Sequence, residues 1–331
     1  MHAHVEDCAT TCRSYREQGR LAEAQAVLRA GLATTPDDVR LLVEQVLLDN
    51  ANDHMRQRQT DARAAAREHP AVEIVVCVHN ALTETMACLE AVCAKTRPPY
   101  FMTIVDDASA PEVGNALKVF AAAHPQVCVI TNPSNLGYSK SANRGMKVAR
   151  ADWIVLLNSD AIVTTGWLEG LFEGAFADDA VAAVGPLSNA ASVQTIPAVK
   201  TVPEDMADLV RRVSKKRHPK MAFLSGFCAL ISKEAMKTIG YLDEVNFPDY
   251  GVDGNMSLAL LKAGYRIVVA DDVYVHHSGA ASFGKGERRD RMIAEARGRL
   301  KSIWPGYDFG VIERAASLQL DEIKQEISRA C

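Results

Sequence analysis

Four apolar runs in this chain of 331 residues each end in polar groups. "VEIVVCV" is followed by His79-Asn80, "YFMTIV" by Asp106-Asp107, "VCVI" by Thr131-Asn132, and "WIVLL" by Asn158-Ser159-Asp160. Two of these ends carry carboxylates, and a carboxylate at the tip of a buried strand is costly unless a cation meets it. Carboxylates suit hard divalent ions such as Mg²⁺ and Mn²⁺, which take one or two protein oxygens and complete their shell with substrate phosphates. The pattern predicts a metal or cationic ligand at one shared edge. The fourth run is unusual, because Asp160 is followed by a second apolar triplet, Ala161-Ile162-Val163, and not by a turn.

For these ends to meet, they must belong to neighbouring strands. The runs alternate with stretches of helical spacing: "TETMACLEAVCAKT", with Met86, Leu89 and Val92 on one side, "EVGNALKVFAAAH", and "SKSANRGMKVA". Four strands alternating with three helices predict an α/β fold with a mostly parallel sheet. Ligands of such sheets bind beyond the carboxyl ends of the strands. No G-x-G-x-x-G follows the first strand and no G-x-x-x-x-G-K-[ST] occurs, which disfavours a dinucleotide-binding dehydrogenase and a P-loop ATPase. A phosphate-bearing substrate is then held by metal and side chains.

The formal net charge of -4 argues against a nucleic-acid binder, which would show a basic excess. No stretch reaches the roughly 20 apolar residues of a membrane helix, and "MHAHVEDCATTC" lacks the regions of a signal peptide. The expectation is a cytoplasmic protein, with or without peripheral contact at the inner face of a membrane. The eight cysteines form no C-x-x-C pair, as suits a reducing compartment, and Cys8 and Cys12 read as helix-packing residues.

Residues 1–50 read as short amphipathic helices punctuated by Gly19 and closed by Pro36. Tyr15, Gly19, Ala24, Leu28 and Pro36 resemble the signature positions of a tetratricopeptide repeat, although Thr11 and Cys12 replace its Leu-Gly pair. One repeat cannot bury its own apolar face. The segment is therefore expected to pack on the rest of the chain, on a second subunit in a homodimer, or on a partner protein. The expected plan is a helical segment 1–50, a helical linker 51–70, an α/β domain 71–285 and a C-terminal helical extension 286–331.

The run from Val72 to about Phe283 resembles the family 2 glycosyltransferases, enzymes of the GT-A fold. The matching pieces, in order, are "EIVVCVHN", "TIVDDAS", "NPSNLGYSKSANRGMKVA", "WIVLLNSDAIVTTGWLEGL", "SGFCALISKEAMKTIGYLDE", "YGVDGNMSLALLKAGYRI" and "DVYVHHSGAASFG". The resemblance implies a nucleotide-sugar donor, UDP-linked, and a glycan, lipid-linked or protein acceptor. It implies nucleotide contacts from Asp107 and Asp106, from His79 and Asn80, and from Asn135, Gly137, Asn143 and Arg144 in the segment closing over the nucleotide. Asn158-Ser159-Asp160 takes the D-x-D position, with Asn158 a variant first member and Asp160 a ligand of Mn²⁺ or Mg²⁺ on the diphosphate. His277 matches a histidine that completes the metal site.

The same resemblance makes Asp253 the general base of an inverting displacement, in a position where relatives carry a pattern like G-E-D-x-D. This chain reads Gly251-Val252-Asp253-Gly254-Asn255, so two acids are replaced. Their loss motivates a second reading, a catalytically degenerate scaffold or binding protein, and removes the like-charge neighbours that would raise the proton affinity of Asp253. Plainer readings stand beside these: a turn at Asp106, given Ser109 and Pro111, a structural role for His277, and a helix-start carboxylate at Asp253. The alternation in "VYVHH" directs only one of its two rings to a site. Lys285, Arg288, Arg289 and Arg291 read either as cations for a diphosphate or as a solvated helix face with Glu287 and Asp290. Trp153 and Trp167 read as core, and nothing in the sequence places Trp304 near the site.

Overall fold

The computed structural model describes residues 2–57, 69–279 and 287–330. It begins with three helices, α1 (His2–Glu17), α2 (Leu21–Thr34) and α3 (Val39–Gln57). Then β1 (Val72–Val78), α4 (Leu82–Lys95), β2 (Tyr100–Asp106), α5 (Pro111–Ala123), β3 (Val127–Thr131), α6 (Tyr138–Val148) and β4 (Trp153–Asn158) alternate as the apolar periodicity predicts. A two-residue strand β5 (Ala161–Ile162) follows, then α7 (Trp167–Ala175), β6 (Val181–Leu187), α8 (Pro203–Val213), β7 (Cys228–Ser232) and α9 (Lys233–Ile239). The remainder is α10 (Val252–Lys262), β8 (Arg266–Tyr274), β9 (His276–His277), α11 (Glu287–Ile303) and α12 (Phe309–Arg329).

Seven strands form one sheet in the order β3-β2-β1-β4-β7-β6-β8, in which β7 alone runs antiparallel to both neighbours. The register sets Val78 beside Asp106, Asp106 beside Thr131, and Cys77 beside Asn158. The polar residues after these positions therefore emerge at one edge. Both faces are covered, which is why the strands read as continuous apolar runs. Val75, Val105, Ile154 and Leu156 meet α6, α10 and α12 on one face, and Ile74, Val76, Ile104 and Leu157 meet α4, α5 and α7 on the other. Trp167 is fully buried, its indole N–H donating to Thr96, and Trp153 packs edge-on against Phe172 and Phe176.

The helix α6 lies on the sheet at Gly145, where a Cβ would come within 2.4 Å of a Val75 methyl and 3.2 Å of a Val105 methyl. Gly145→Ala is expected to destabilise the protein by about 1–3 kcal/mol, since overpacking outweighs alanine's better helix propensity. A thermal melt checks this, and an unchanged midpoint would refute so close a contact.

The three N-terminal helices enclose a small core of Val5, Cys8, Cys12, Ala24, Leu28, Leu41 and Leu48. Cys8 and Cys12 are thus packing residues, and none of the seven described cysteines is in a disulfide. Buried Glu44 of α3 ties α1 down through Arg13 at 2.8 Å and Arg16 at 3.2 Å. The other face of α3, with Val39, Leu42, Val43 and Val46, enters the core of the sheet domain. The Asn50 carboxamide bonds the Lys220 backbone in both directions, at 2.9 and 2.8 Å. Of the three docking alternatives, the rest of the chain takes this surface. The helix α3 continues unbroken past residue 50 to Gln57, and most of the expected linker lies outside the described residues. Among the described residues no helix is long and apolar enough to cross a membrane.

Candidate active site

At the β1 end, the His79 ring is fixed by two kinds of contact. Its Nδ1 lies 2.9 Å from the Asp107 carbonyl, which can only accept, so Nδ1 carries the proton. Its Nε2 then accepts from the carboxamides of Asn80 at 3.1 Å and Asn135 at 3.3 Å. Asn80 also accepts from Ala110 N–H through Oδ1, while its own N–H donates to Ser109. His79, Asn80 and Asn135 are brought together at the mouth of the sheet edge.

The two β2 aspartates behave differently from simple outward ligands. Asp106 is buried and caps the N–H of Ser109 at 3.0 Å, the turn arrangement that Ser109 and Pro111 suggested. Asp107 accepts from the N–H groups of Leu136 at 2.8 Å and Gly137 at 3.0 Å and from Asn132 Nδ2 at 2.7 Å. Its carboxylate therefore anchors the 132–137 loop. Gly137, with φ of 84°, starts α6 against the backbone of Pro248 and the side chain of Asp249.

One of the expected nucleotide residues is not drawn into this cluster. Asn143 is buried, and its carboxamide is engaged by the backbone of Leu242 in both directions and by Glu244. The course of α6 turns Asn143 toward the 242–244 loop. Exposed Arg144 bonds Thr131 O and Asn132 Oδ1, bracing the end of β3. Asn132, at the centre of these bonds, is the residue that strand-end reasoning noticed but did not assign.

The second apolar triplet after Asp160 has a structural cause. Ala161 and Ile162 form β5, which pairs antiparallel with His277 and His276 of β9 in a ribbon separate from the main sheet. This pairing brings Asp160 Oδ1 to 3.2 Å from His277 Nε2. Nδ1 of His277 lies 2.6 Å from the Ala190 carbonyl and so holds the proton, leaving the Nε2 lone pair toward Asp160. Asn158 Nδ2 reaches the same Nε2 at 3.3 Å, Asn189 bonds the His277 backbone in both directions, and the Phe227 ring stacks on the imidazole at 4.9 Å. Burial lowers the proton affinity of His277, but the Asp160 carboxylate outweighs it and raises the pKa overall. His276 points elsewhere, with Nδ1 at 3.3 Å from the Tyr274 hydroxyl. Ser159, between Asn158 and Asp160 in the chain, is buried.

Asp160 and His277 fit a divalent ion. Two cis ligands with bonds of roughly 2.1 Å stand about 3 Å apart, close to the observed separation. A histidine whose second nitrogen donates to a backbone carbonyl is oriented as metal ligands commonly are. A second cluster, Glu173, His218 and Asp272, lies on α7, the 214–220 segment and β8. There Lys216 already bridges both carboxylates, at 2.6 and 3.3 Å, so an internal cation supplies the compensation.

Asp253 opens α10 after Gly251, whose φ is 81°. Its Oδ1 accepts from Gly254 N–H at 2.9 Å and its Oδ2 from Gly226 N–H at 3.4 Å. Burial raises its pKa above the ordinary carboxylate value, against the opposing pull of the Gly254 and Gly226 N–H groups. The loss of acidic neighbours therefore does not leave Asp253 untuned, because desolvation does what like charge was expected to do. Residues 226 and 227 join the two centres: Gly226 touches Asp253, the next ring stacks on His277, and Phe227 O accepts from Asn158 N–H at 2.8 Å. Arg289 of α11 hydrogen-bonds Tyr250, and its charge reaches His277. Lys285 and the side chain of Arg288 lie outside the described residues.

A family model described as "Glycosyl transferase family 2" matches residues 73–240, half of the chain. The chain belongs to glycosyl transferase family 2. Among its relatives in this family is the pre-mycofactocin glycosyltransferase of Mycobacterium tuberculosis, 24% identical over 251 residues, 75% of this chain and 50% of that protein. Glycosyltransferase GlyG of Streptococcus pneumoniae is 21% identical over 224 residues, 65% of this chain and 73% of its own length. The chain thus spans about half the length of the mycobacterial relative it matches.

Two solved structures share the fold. A mannosyltransferase from Pyrobaculum calidifontis, in complex with GDP-Man and Mn²⁺, superposes with a TM-score of 0.57 at 19% identity, covering 86% of this chain and 81% of that one. GalNAc-T7 with UDP, GalNAc and Mn²⁺ gives 0.53 at 14% identity, covering 78% and 56%. The mostly parallel sheet flanked by helices is the GT-A glycosyltransferase fold shared with these two structures.

Proposed function

We propose that this chain is an inverting, metal-dependent glycosyltransferase that moves a sugar from a UDP-linked donor to a hydroxyl acceptor on a glycan, lipid-linked or protein substrate. The observation that carries the reading is the β5–β9 ribbon, which presents Asp160 Oδ1 and His277 Nε2 together, with Asp253 joined to them through Gly226 and Phe227. Both fold neighbours hold Mn²⁺ with a nucleotide or nucleotide sugar, which supports the same class of ligand here.

His79, Asn80 and Asn135 line the nucleotide end, and Asp107 holds the loop that closes over it. Asp160 and His277 hold the divalent ion, with Asn158 and Ser159 beside them. When bound, that ion neutralises charge growing on the leaving diphosphate as a Lewis acid. Asp253, kept protonatable by burial, takes the proton of the acceptor hydroxyl as that oxygen attacks the anomeric carbon. One carboxylate acting on an acceptor suits a single displacement with inversion.

Val252 is buried in the core and Asn255 bonds another side chain, so both replaced acids have local structural roles. The alternative, a catalytically degenerate scaffold, would release no nucleoside diphosphate from the donor. The test is a thermal-shift panel of UDP-glucose, UDP-N-acetylglucosamine, UDP-galactose and GDP-mannose, each with and without Mn²⁺. A UDP-sugar with Mn²⁺ is expected to stabilise the fold by about 2.7 kcal/mol at a hundredfold excess over Kd. A flat response to every nucleotide would overturn the reading.

A further inference from the structure

The turn between α11 and α12, Trp304-Pro305-Gly306-Tyr307, is bound on two sides at once. On one side the Trp304 indole N–H donates to Asn255 Oδ1 at 2.8 Å. Asn255 stands in the first turn of α10, two positions after Asp253. On the other side the Pro305 carbonyl accepts from Val39 N–H at 2.9 Å, at the start of α3. Gly306, with φ of 70°, lies so close to that start that a Cβ would sit 2.8 Å from both Arg40 Nε and Asp38 Oδ1. The turn is therefore a wedge between the N-terminal helices and the helix that carries Asp253.

Neighbouring contacts hold α10 at the same point. A Cβ on Gly251 would come within 2.9 Å of Ala296 on α11. The Trp304 ring lies under Lys262 from the far end of α10, and buried Tyr307 lies close enough to feel the Asp253 charge. Apart from the Lys262 contact at its far end, these contacts lie at the beginning of α10, and none of them needs a bound ligand.

We propose that the Trp304–Tyr307 turn is a positioning element for Asp253: it locks the first turn of α10 through Asn255 and transmits support from the N-terminal three-helix unit through Val39. Asn255 is on this reading an acceptor selected for the indole N–H in place of the acid found in relatives. The inference rests on Asp253 being the base. The titratable groups that face Asp253 are the phenols of Tyr138 from α6 and Tyr307 from the turn, both raised chiefly by burial. Arg297 and Asp308 act on Tyr307 in turn.

The experiment compares thermal melting of paired proteins, with Asp253 or with Asp253→Asn, from about pH 4 to pH 8, where carboxylates with raised pKa titrate. The pairs are made in the unaltered chain and in Trp304→Phe, Asn255→Ala and Gly306→Ala. The difference within each pair reports proton uptake by Asp253 alone. In the unaltered chain its midpoint is expected above the ordinary aspartate value of about 3.9. In each variant it is expected to fall toward that value, because a loosened first turn admits water. Trp304→Phe keeps an aromatic ring but loses the indole N–H and part of its volume, Asn255→Ala removes the acceptor, and Gly306→Ala acts from the α3 side, so a folding failure in one leaves the others. An identical midpoint in every background overturns the proposal.

A second readout is hydrolysis of UDP-N-acetylglucosamine with Mn²⁺. There kcat is expected to drop roughly 10- to 100-fold in Trp304→Phe with donor affinity unchanged, as misplacement of a reacting group predicts. Full turnover in Asp253→Asn would remove the base assignment. Positioning would still be decided by the melting comparison.

Discussion

Replacing Asp253 with asparagine is expected to lower kcat by about 10²–10⁴-fold, the usual contribution of a positioned general base, while making the protein more stable at neutral pH. The two effects have one cause. Burial raises the folded-state pKa of Asp253, so ionising this carboxylate costs more in the folded chain than in the unfolded one. A carboxylate with a raised folded pKa binds more protons folded than unfolded between its two pKa values, so its effect on stability becomes less favourable as pH rises through that window. Asp253→Asn removes this cost, and the gain should shrink as pH falls toward the ordinary aspartate value of about 3.9. In the unaltered enzyme the acid limb of kcat/KM should lie above that value. Paired melting curves and a pH–rate profile test both halves. A variant that loses activity and also melts many degrees lower would show that the carboxylate supports the fold through Gly226 and Gly254.

The second large effect concerns Asp160. Asp160→Ala should cut transfer by about 10³-fold or more, since a Lewis acid contributes several kcal/mol to such a reaction. Chelation of the unaltered enzyme should do the same, reversibly on adding Mn²⁺. The fold should survive, because the ribbon depends on backbone pairing and the Asp160 carbonyl still accepts from Ser278 N–H. Calorimetric titration with Mn²⁺ and UDP separates the outcomes. Undiminished turnover in EDTA, or Mn²⁺ affinity unchanged by the substitution, would show that Asp160 and His277 form no more than an ion pair.

What could be read from the sequence was the part set by local period. The four parallel strands and their three helices follow from apolar spacing, and the polar edge follows from where those runs stop. What could not be read is pairing at a distance. Nothing local says that Ala161-Ile162 will pair with His276-His277, so the resumed apolar triplet was a puzzle until the ribbon was seen. Asp106 shows the converse: it stands at a position that family likeness gives to the nucleotide, yet it caps the nearby Ser109 N–H. Asn143 repeats the distant case, because its partner Leu242 lies 99 positions away. Asp253 shows that counting charges in sequence misses desolvation, which only packing supplies. Trp304 had no signal at all, because its partner lies 49 positions away on a different helix.

The ribbon that unites Asp160 with His277 joins positions far apart along the chain, with 119 residues separating Asn158 from the same histidine. During synthesis β1 to β4 emerge well before β8 and β9. The metal pair must wait until β8 has crossed the sheet and delivered β9, and closing so long a loop is slow compared with local pairing. The Asp160–His277 pair is therefore expected to form after the parallel pairing of β1, β2 and β4.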